Sequence, residues 1–321
     1  MDRRRRRARA LTLAISVAAS ACLAADAAPP IRAMLWISPQ ADPAVVLATE
    51  PAECLRRPAD AQQTHSVEVG RAAFRTPTLL GGQAARARLT CESCHRSGRD
   101  NPDFLFPGAS GPAGTADVTL SLFSSHRGNG IHDPRPIPDL TGPRGALKVA
   151  PADLPRFIRG LSVEEFDGPE PSPAVLEGLN AYVRALDPAA CPGHPRSAIT
   201  LASLMNNVRR ALGAARVELA AGDGATAVLM IASARAQLGL IDERYAGLVP
   251  ERARVRKADA ALADLQGAVR NRGAGAAVVL ETWLTQAAEL EARLAAREAR
   301  SLFNPTRLSP AANARLPPKA S

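Results

Sequence analysis

Six consecutive residues, Thr90-Cys91-Glu92-Ser93-Cys94-His95, constrain this chain more than any other feature. Thiols separated by two residues reach the same turn of backbone, and a His directly behind the second is held at a fixed offset from both. That spacing suits covalent attachment of a haem: each thiol adds across a vinyl group of the macrocycle, which holds the His under the iron as its proximal ligand. A Cys-X-X-Cys pair alone would also suit a redox disulfide or half of a zinc site. The adjacent His favours haem, because Cys54 and Cys191 are the only other cysteines beyond the N-terminal leader. The motif occurs once, so one covalent haem c is all the chain can attach. Its surroundings fit. Residues 61–192 are rich in Pro and Gly, with short helical patterns at 66–74, 152–161 and 173–186. So little regular structure buries little apolar surface by itself, and a large apolar cofactor would supply the missing core.

From Ser197 the texture changes to Ala-rich, strongly periodic helix. Leu201, Leu204, Val208, Leu212 and Leu219 form one stripe; Val228, Ile231, Leu238, Ile241 and Tyr245 a second. Val255, Ala258, Leu262, Leu265 and Val269 form a third; Leu280, Trp283, Ala287, Leu290 and Leu294 a fourth. Steps of three and four residues place each set on one helix face. Breaks at Gly222-Asp223-Gly224, residues 247–250 and Gly273-Ala274-Gly275 are short enough to require antiparallel neighbours. The expected fold class is thus mostly α, with an antiparallel four-helix bundle over residues 197–303. No His follows His194, so this bundle lacks the ligands of an internal di-iron or haem site and reads as a structural or docking element. Residues 29–60 hold apolar, β-prone pieces (Met34-Leu35-Trp36-Ile37 and Val45-Val46-Leu47) broken by Pro39, Pro43 and Pro51, which predicts an extended N-terminal arm. Residues 304–321, with Pro305, Pro310, Pro317 and Pro318, read as a disordered tail.

The start of the chain reads as a leader. A cationic run at residues 2–9, an apolar stretch at 11–25 and small residues at Ala25-Asp26-Ala27 predict a signal peptide over 1–28 and a mature start near Ala28. Cys22, behind Ala19-Ser20-Ala21, admits lipidation as a second outcome. The expected location is periplasmic, soluble or lipid-anchored through Cys22. No later run approaches the ~20 apolar residues that span a bilayer, so the mature chain is expected to have no transmembrane segment. The net charge of +9 comes almost wholly from Arg, with no basic stripe interleaved with aromatics, so nucleic acid is not an expected partner. In an oxidising compartment Cys54 and Cys191 remain as a candidate disulfide across the haem segment. Such a link is worth about 5 kcal/mol in the chain-entropy model; a pair of buried free thiols is the alternative.

The segments Gly70-Arg71-Ala72-Ala73-Phe74, Leu89-Thr90-Cys91-Glu92-Ser93-Cys94-His95 and Leu176-Glu177-Gly178-Leu179-Asn180-Ala181-Tyr182-Val183-Arg184-Ala185-Leu186 resemble the first helix, haem motif and final helix of a class I c-type cytochrome domain. They are most similar to the cytochrome domains of the bacterial di-haem cytochrome c peroxidase family. The resemblance spans less than half of the chain; it lacks that family's second haem motif, and the region after Ser197 has no counterpart in it. It implies a cytochrome c-like domain over 61–192 acting in electron transfer with a redox partner protein, for which the bundle is the candidate docking element. A peroxidase-like haem enzyme with an open or displaceable distal iron face is the alternative, and a haem-based gas or redox sensor a third reading.

Class I carriers usually place a Met on the distal face, but Met1, Met34, Met205 and Met230 all lie outside the stretch between the motif and the final helix. His126, in Ser124-Ser125-His126-Arg127-Gly128, is the preferred distal ligand; His132, or an iron with no protein distal ligand, are the alternatives. Met34 or Met205 would have to enter from outside the domain. His65 and His194 are expected at the surface. Arg127, Arg135 and Arg144 are candidate partners for haem propionates, since the guanidinium fork matches a carboxylate. Asp139 reads as a turn residue, and Glu164, Glu165 and Asp167 as loop carboxylates.

Overall fold

In the computed structural model, which describes residue 31 and residues 36–142, 149–193 and 196–313, the chain is mostly helical. The expected signal peptide over 1–28 with Cys22, and also Met34, Arg144, His194 and residues 314–321, lie outside the described residues.

Asp42 accepts from the N–H groups of Ala44 and Val45 and so opens α1 (Pro43–Ala48), with a proline in the first turn where its missing N–H costs nothing. Strand β1 (Thr49–Pro51) follows. Helix α2 (Ala61–Phe74) starts earlier than the apolar periodicity predicts, because Asp60 caps it through the Gln63 N–H at 2.7 Å. Two short helices, α3 (Gly82–Arg86) and α4 (Cys91–Cys94), precede an irregular stretch in which β2 (Thr115–Ala116) pairs with β3 (Arg135–Pro136). Helix α5 (Leu154–Gly160) runs on into a π-helical turn, Leu161–Glu165. Ser172 and Pro173 start α6 (Pro173–Ala185) as their order predicts. Beyond β4 (Arg196–Ala198) come α7 (Leu201–Ala220), α8 (Gly224–Arg244), α9 (Val249–Arg270), α10 (Ala276–Ala295) and α11 (Pro305–Asn313).

Helices α2 and α6 touch backbone to backbone. A Cβ built on Gly70 would lie 1.8 Å from the Gly178 carbonyl oxygen, so only glycine fits at the crossing. The long C-terminal helices pack in succession, and α10 returns to α7. Most of their predicted stripes are buried, joined by Met205 and Met230. Helices α7 and α8 also lie on α2, where the Ser233 hydroxyl donates to the Ala72 carbonyl at 2.9 Å. One core, to which α2, α6 and the long C-terminal helices all contribute, runs across the expected domain boundary at 192–197, while Leu80, Leu89, Phe104, Phe106, Phe123 and Ile137 belong to a second cluster.

The terminal segments differ from expectation. Residues 29–60 are not simply an extended arm: α1 interrupts them, and they are fastened by β1 pairing with β4 and by a bridge between Leu55 and Leu186. The Cys54–Cys191 disulfide, with Cα atoms 5.3 Å apart, holds the same seam. In the expected tail, Asn304 accepts from the Thr306 N–H at 3.0 Å and starts α11. Leu308 and Ala312, four residues apart on one face, are buried against Ile31 and Leu47.

Candidate functional site

Thr90 and Ser93 build a capping box: the Ser93 N–H donates to Thr90 Oγ1 at 3.2 Å, and the Thr90 N–H donates to Ser93 Oγ at 3.0 Å. The box closes the single turn of α4, which puts Cys91 and Cys94 three residues apart on one side. Asn101 Nδ2 donates to the Ser93 carbonyl at 2.8 Å and pins that turn. Both thiols are free, and both line a cavity of about 510 Å³. That volume lies within the roughly 300–1,000 Å³ of ordinary cofactor and ligand sites.

The cavity is mainly apolar, walled by Phe74, Phe104, Phe123, Ile158 and Leu179 among others. Asp117, Asn129, Asp133 and Arg135 give it polar lining. The π-helical turn contributes Leu161 and Ser162, and such turns recur at functional sites.

His95 is on the same wall, with Nδ1 3.0 Å from the Pro138 carbonyl oxygen. A carbonyl can only accept, so Nδ1 carries the proton and Nε2 keeps its lone pair. Burial pushes the imidazole down to about 4, which keeps it neutral at pH 7. Burial also pushes the Cys91 and Cys94 thiols up to about 12, so both are S–H at neutral pH. Among the described residues no group of His, Cys, Asp and Glu side chains converges as a metal site.

Beneath the motif, buried charges interlock. Glu53 Oε2 lies 2.6 Å from Arg71 Nε, and Glu53 Oε1 lies 2.9 Å from Arg75 Nη2 and accepts from the Tyr182 hydroxyl at 2.8 Å. Arg71 Nη2 donates to Asn207 Oδ1 of α7 at 2.8 Å, which ties the floor of the site to the C-terminal helices.

Several expected residues are elsewhere. His126 does not reach the cavity: its side chain is 63% exposed, with Nε2 3.9 Å from Asp167 Oδ1. Its loop is fastened the other way. Ser124 Oγ accepts from the His126 and Arg127 N–H groups, Ser125 bonds Asp167, and Arg127 pairs with Glu164 and Glu165. His132 is exposed too, while its neighbours Asn129 and Asp133 line the cavity. Met205 and Met230 are enclosed in the helical core, away from the cavity wall. Of the described candidate propionate partners, Arg135 lines the cavity and Arg127 does not. His65 is half-buried rather than freely exposed: Nε2 lies 2.6 Å from Glu218 Oε1, between α2 and α7. Asp139 closes a turn, accepting from the Thr141 N–H at 2.8 Å, and also pairs with Arg99.

Comparison with family models, curated proteins and solved structures finds no match to this chain. A functional reading thus rests on the motif and the cavity. Sequence reasoning missed the Pro138 carbonyl and the inward-turned Glu92. The first has no local signal, since His95 and Pro138 are 43 residues apart.

Proposed function

We propose that this chain is an exported, periplasmic monohaem c-type cytochrome acting in electron transfer. In this reading residues 61–192 adopt a class I cytochrome c-like fold, and α7, α8, α9 and α10 close as an antiparallel four-helix bundle that docks a redox partner protein. The supporting observation is that Cys91, Cys94 and His95 open together on one apolar cavity, with His95 Nδ1 tied to Pro138. The residues fit the group: two protonated thiols on one turn, a neutral imidazole with a free Nε2, and walls of aromatic and aliphatic side chains. When bound, the haem supplies a one-electron couple.

The chain's own residues do the rest. Cys91 and Cys94 would hold the group covalently, each S–H adding across a vinyl group so that no atom is lost. Pro138 fixes the ring of His95, an outer contact that orients the ligand and raises its basicity. Phe74, whose ring centroid is 6.4 Å from that of His95, helps exclude water from the proximal side. Arg135 stands on the polar lining where a propionate would meet a guanidinium. Replacing Cys91 and Cys94 together by Ala should give a chain without covalent haem; haem stain persisting on a denaturing gel would refute the assignment.

One observation favours the peroxidase-like alternative. Among the described residues, His95 is the only His on the cavity wall, and no Met lies on it, which suits an open distal iron face. A reduced spectrum separates the two. A low-spin species indifferent to CO supports the electron carrier, and a high-spin one that binds CO and reacts with peroxide supports the enzyme.

A further inference from the structure

Glu92 sits between the anchoring cysteines, yet attachment has no use for it. Its side chain turns into the protein: Oε1 accepts from the Ser97 N–H at 2.8 Å, while Oε2 is sealed from solvent without a hydrogen-bond donor. The nearest cation is Arg75, with Nη2 3.2 Å from Oε2. That same Nη2 lies 2.9 Å from Glu53 Oε1, and Glu53 is further held by Arg71 and Tyr182. One guanidinium therefore stands between two carboxyls, and Glu53 has the better claim on it.

The charged and titratable groups around Glu92 come from every neighbouring element. Arg75 caps the C-terminal end of α2, Glu50 lies on β1 with Glu53 just beyond it, Tyr182 on α6 and Arg96 just after the motif; Cys91 adjoins it in the chain. Burial pushes the Glu92 carboxyl up to about 7, against the pull of Arg75. Glu53 goes the other way: burial raises it, but Arg75 and Arg71 together hold it down at about 2. The charge of the network is thus settled at Glu53 and poised at Glu92.

We propose that Glu92 is a proton-binding site coupled to the redox state of the bound haem, so that reduction takes one proton from solvent onto Glu92 and oxidation returns it. This rests on the haem reading above. In the step, a one-electron donor gives its electron to the iron and Glu92 carboxylate becomes carboxylic acid; no other bond changes. The cause is electrostatic. An added electron removes a positive charge from the other side of the motif turn, and in a poorly screened interior that loss disfavours a nearby carboxylate.

The test is a redox titration of the full-length haem-bearing protein from pH 5 to 9, beside the Glu92→Gln variant. The wild-type midpoint should fall as pH rises through about 7, with a limiting slope of about 59 mV for each tenfold drop in proton concentration. The variant should lose that slope while keeping its haem. A flat wild-type profile, or an unchanged slope in Glu92→Gln, overturns the proposal. Should the variant not take up haem, the reduced-minus-oxidised infrared spectrum of wild type decides: a protonated-carboxyl band must appear on reduction near pH 7, and its absence overturns the proposal. A chain without covalent haem overturns both readings, whereas a haem-bearing chain with a flat midpoint overturns this one alone.

Discussion

Replacing Gly70 by Ala strikes the crossing that positions two cavity walls at once. The new Cβ would lie 1.8 Å from the Gly178 oxygen and 2.7 Å from the Leu179 nitrogen. Carbon–oxygen contacts settle at about 3.3 Å or more, so α2 and α6 must part by roughly 1.5 Å. Both clashing atoms are backbone, so no rotamer change relieves them. Overpacking of this kind costs about 1–3 kcal/mol, and here the upper end applies. Removing a helical glycine returns up to about 1 kcal/mol. The net loss should be about 2 kcal/mol, or about 3 °C in Tm for a chain of 321 residues. Gly213→Ala is the control: it lies inside α7 with nothing within 4 Å of the place its methyl would take, and should be neutral or stabilising. Thermal unfolding followed by circular dichroism reads both. Since α2 carries Phe74 and α6 carries Leu179, Gly70→Ala should also lower haem content. A Gly70→Ala protein as stable as Gly213→Ala would refute the close crossing.

Three further outcomes follow from the packing. Replacing Cys54 and Cys191 together by Ser opens a loop of 137 residues and should cost up to about 5 kcal/mol, read as a lower urea midpoint; no change would mean the link contributes nothing. Glu53 is held at about 2 against an ordinary 4.5, so its contribution is complete above pH 4.5 and is lost as pH falls from there toward 2. Glu53→Gln should flatten the acid limb of a stability–pH curve, and an unchanged limb would remove Glu53 from the account. A fragment of residues 197–313 bares the faces of α7 and α8 that α2 covers, and should melt below the full chain; an equal midpoint would show that the core is not shared.

What could be read from the sequence was local. The apolar stripes of α7, α8, α9 and α10 repeat every three or four residues and end at glycine-rich breaks, so their positions follow from neighbours in the chain. Ser172 with Pro173 marks the start of α6 for the same reason. The anchoring residues were legible because Cys91, Cys94 and His95 share one turn. Two local signals were overridden by composition: Asp42-Pro43 and Asn304-Pro305 are both cap-and-proline starts, but Pro-rich surroundings read as extended or disordered chain. His126 failed for another reason. A Gly-rich loop can face either way, and its direction is fixed by Asp167, Glu164 and Glu165, about forty residues on, through contacts that no spacing rule reveals. The Gly70–Gly178 crossing and the shared core are likewise long-range.

In the proposed reading, Cys91 and Cys94 would carry a haem whose iron is held by His95. Intact mass and the reduced pyridine haemochrome spectrum of the protein, purified under denaturing conditions from a host that attaches haem c, test this directly. One covalent haem per chain, absent from the Cys91→Ala, Cys94→Ala double variant, is the expected result. An unmodified wild-type chain, or haem that survives in the double variant, would contradict it.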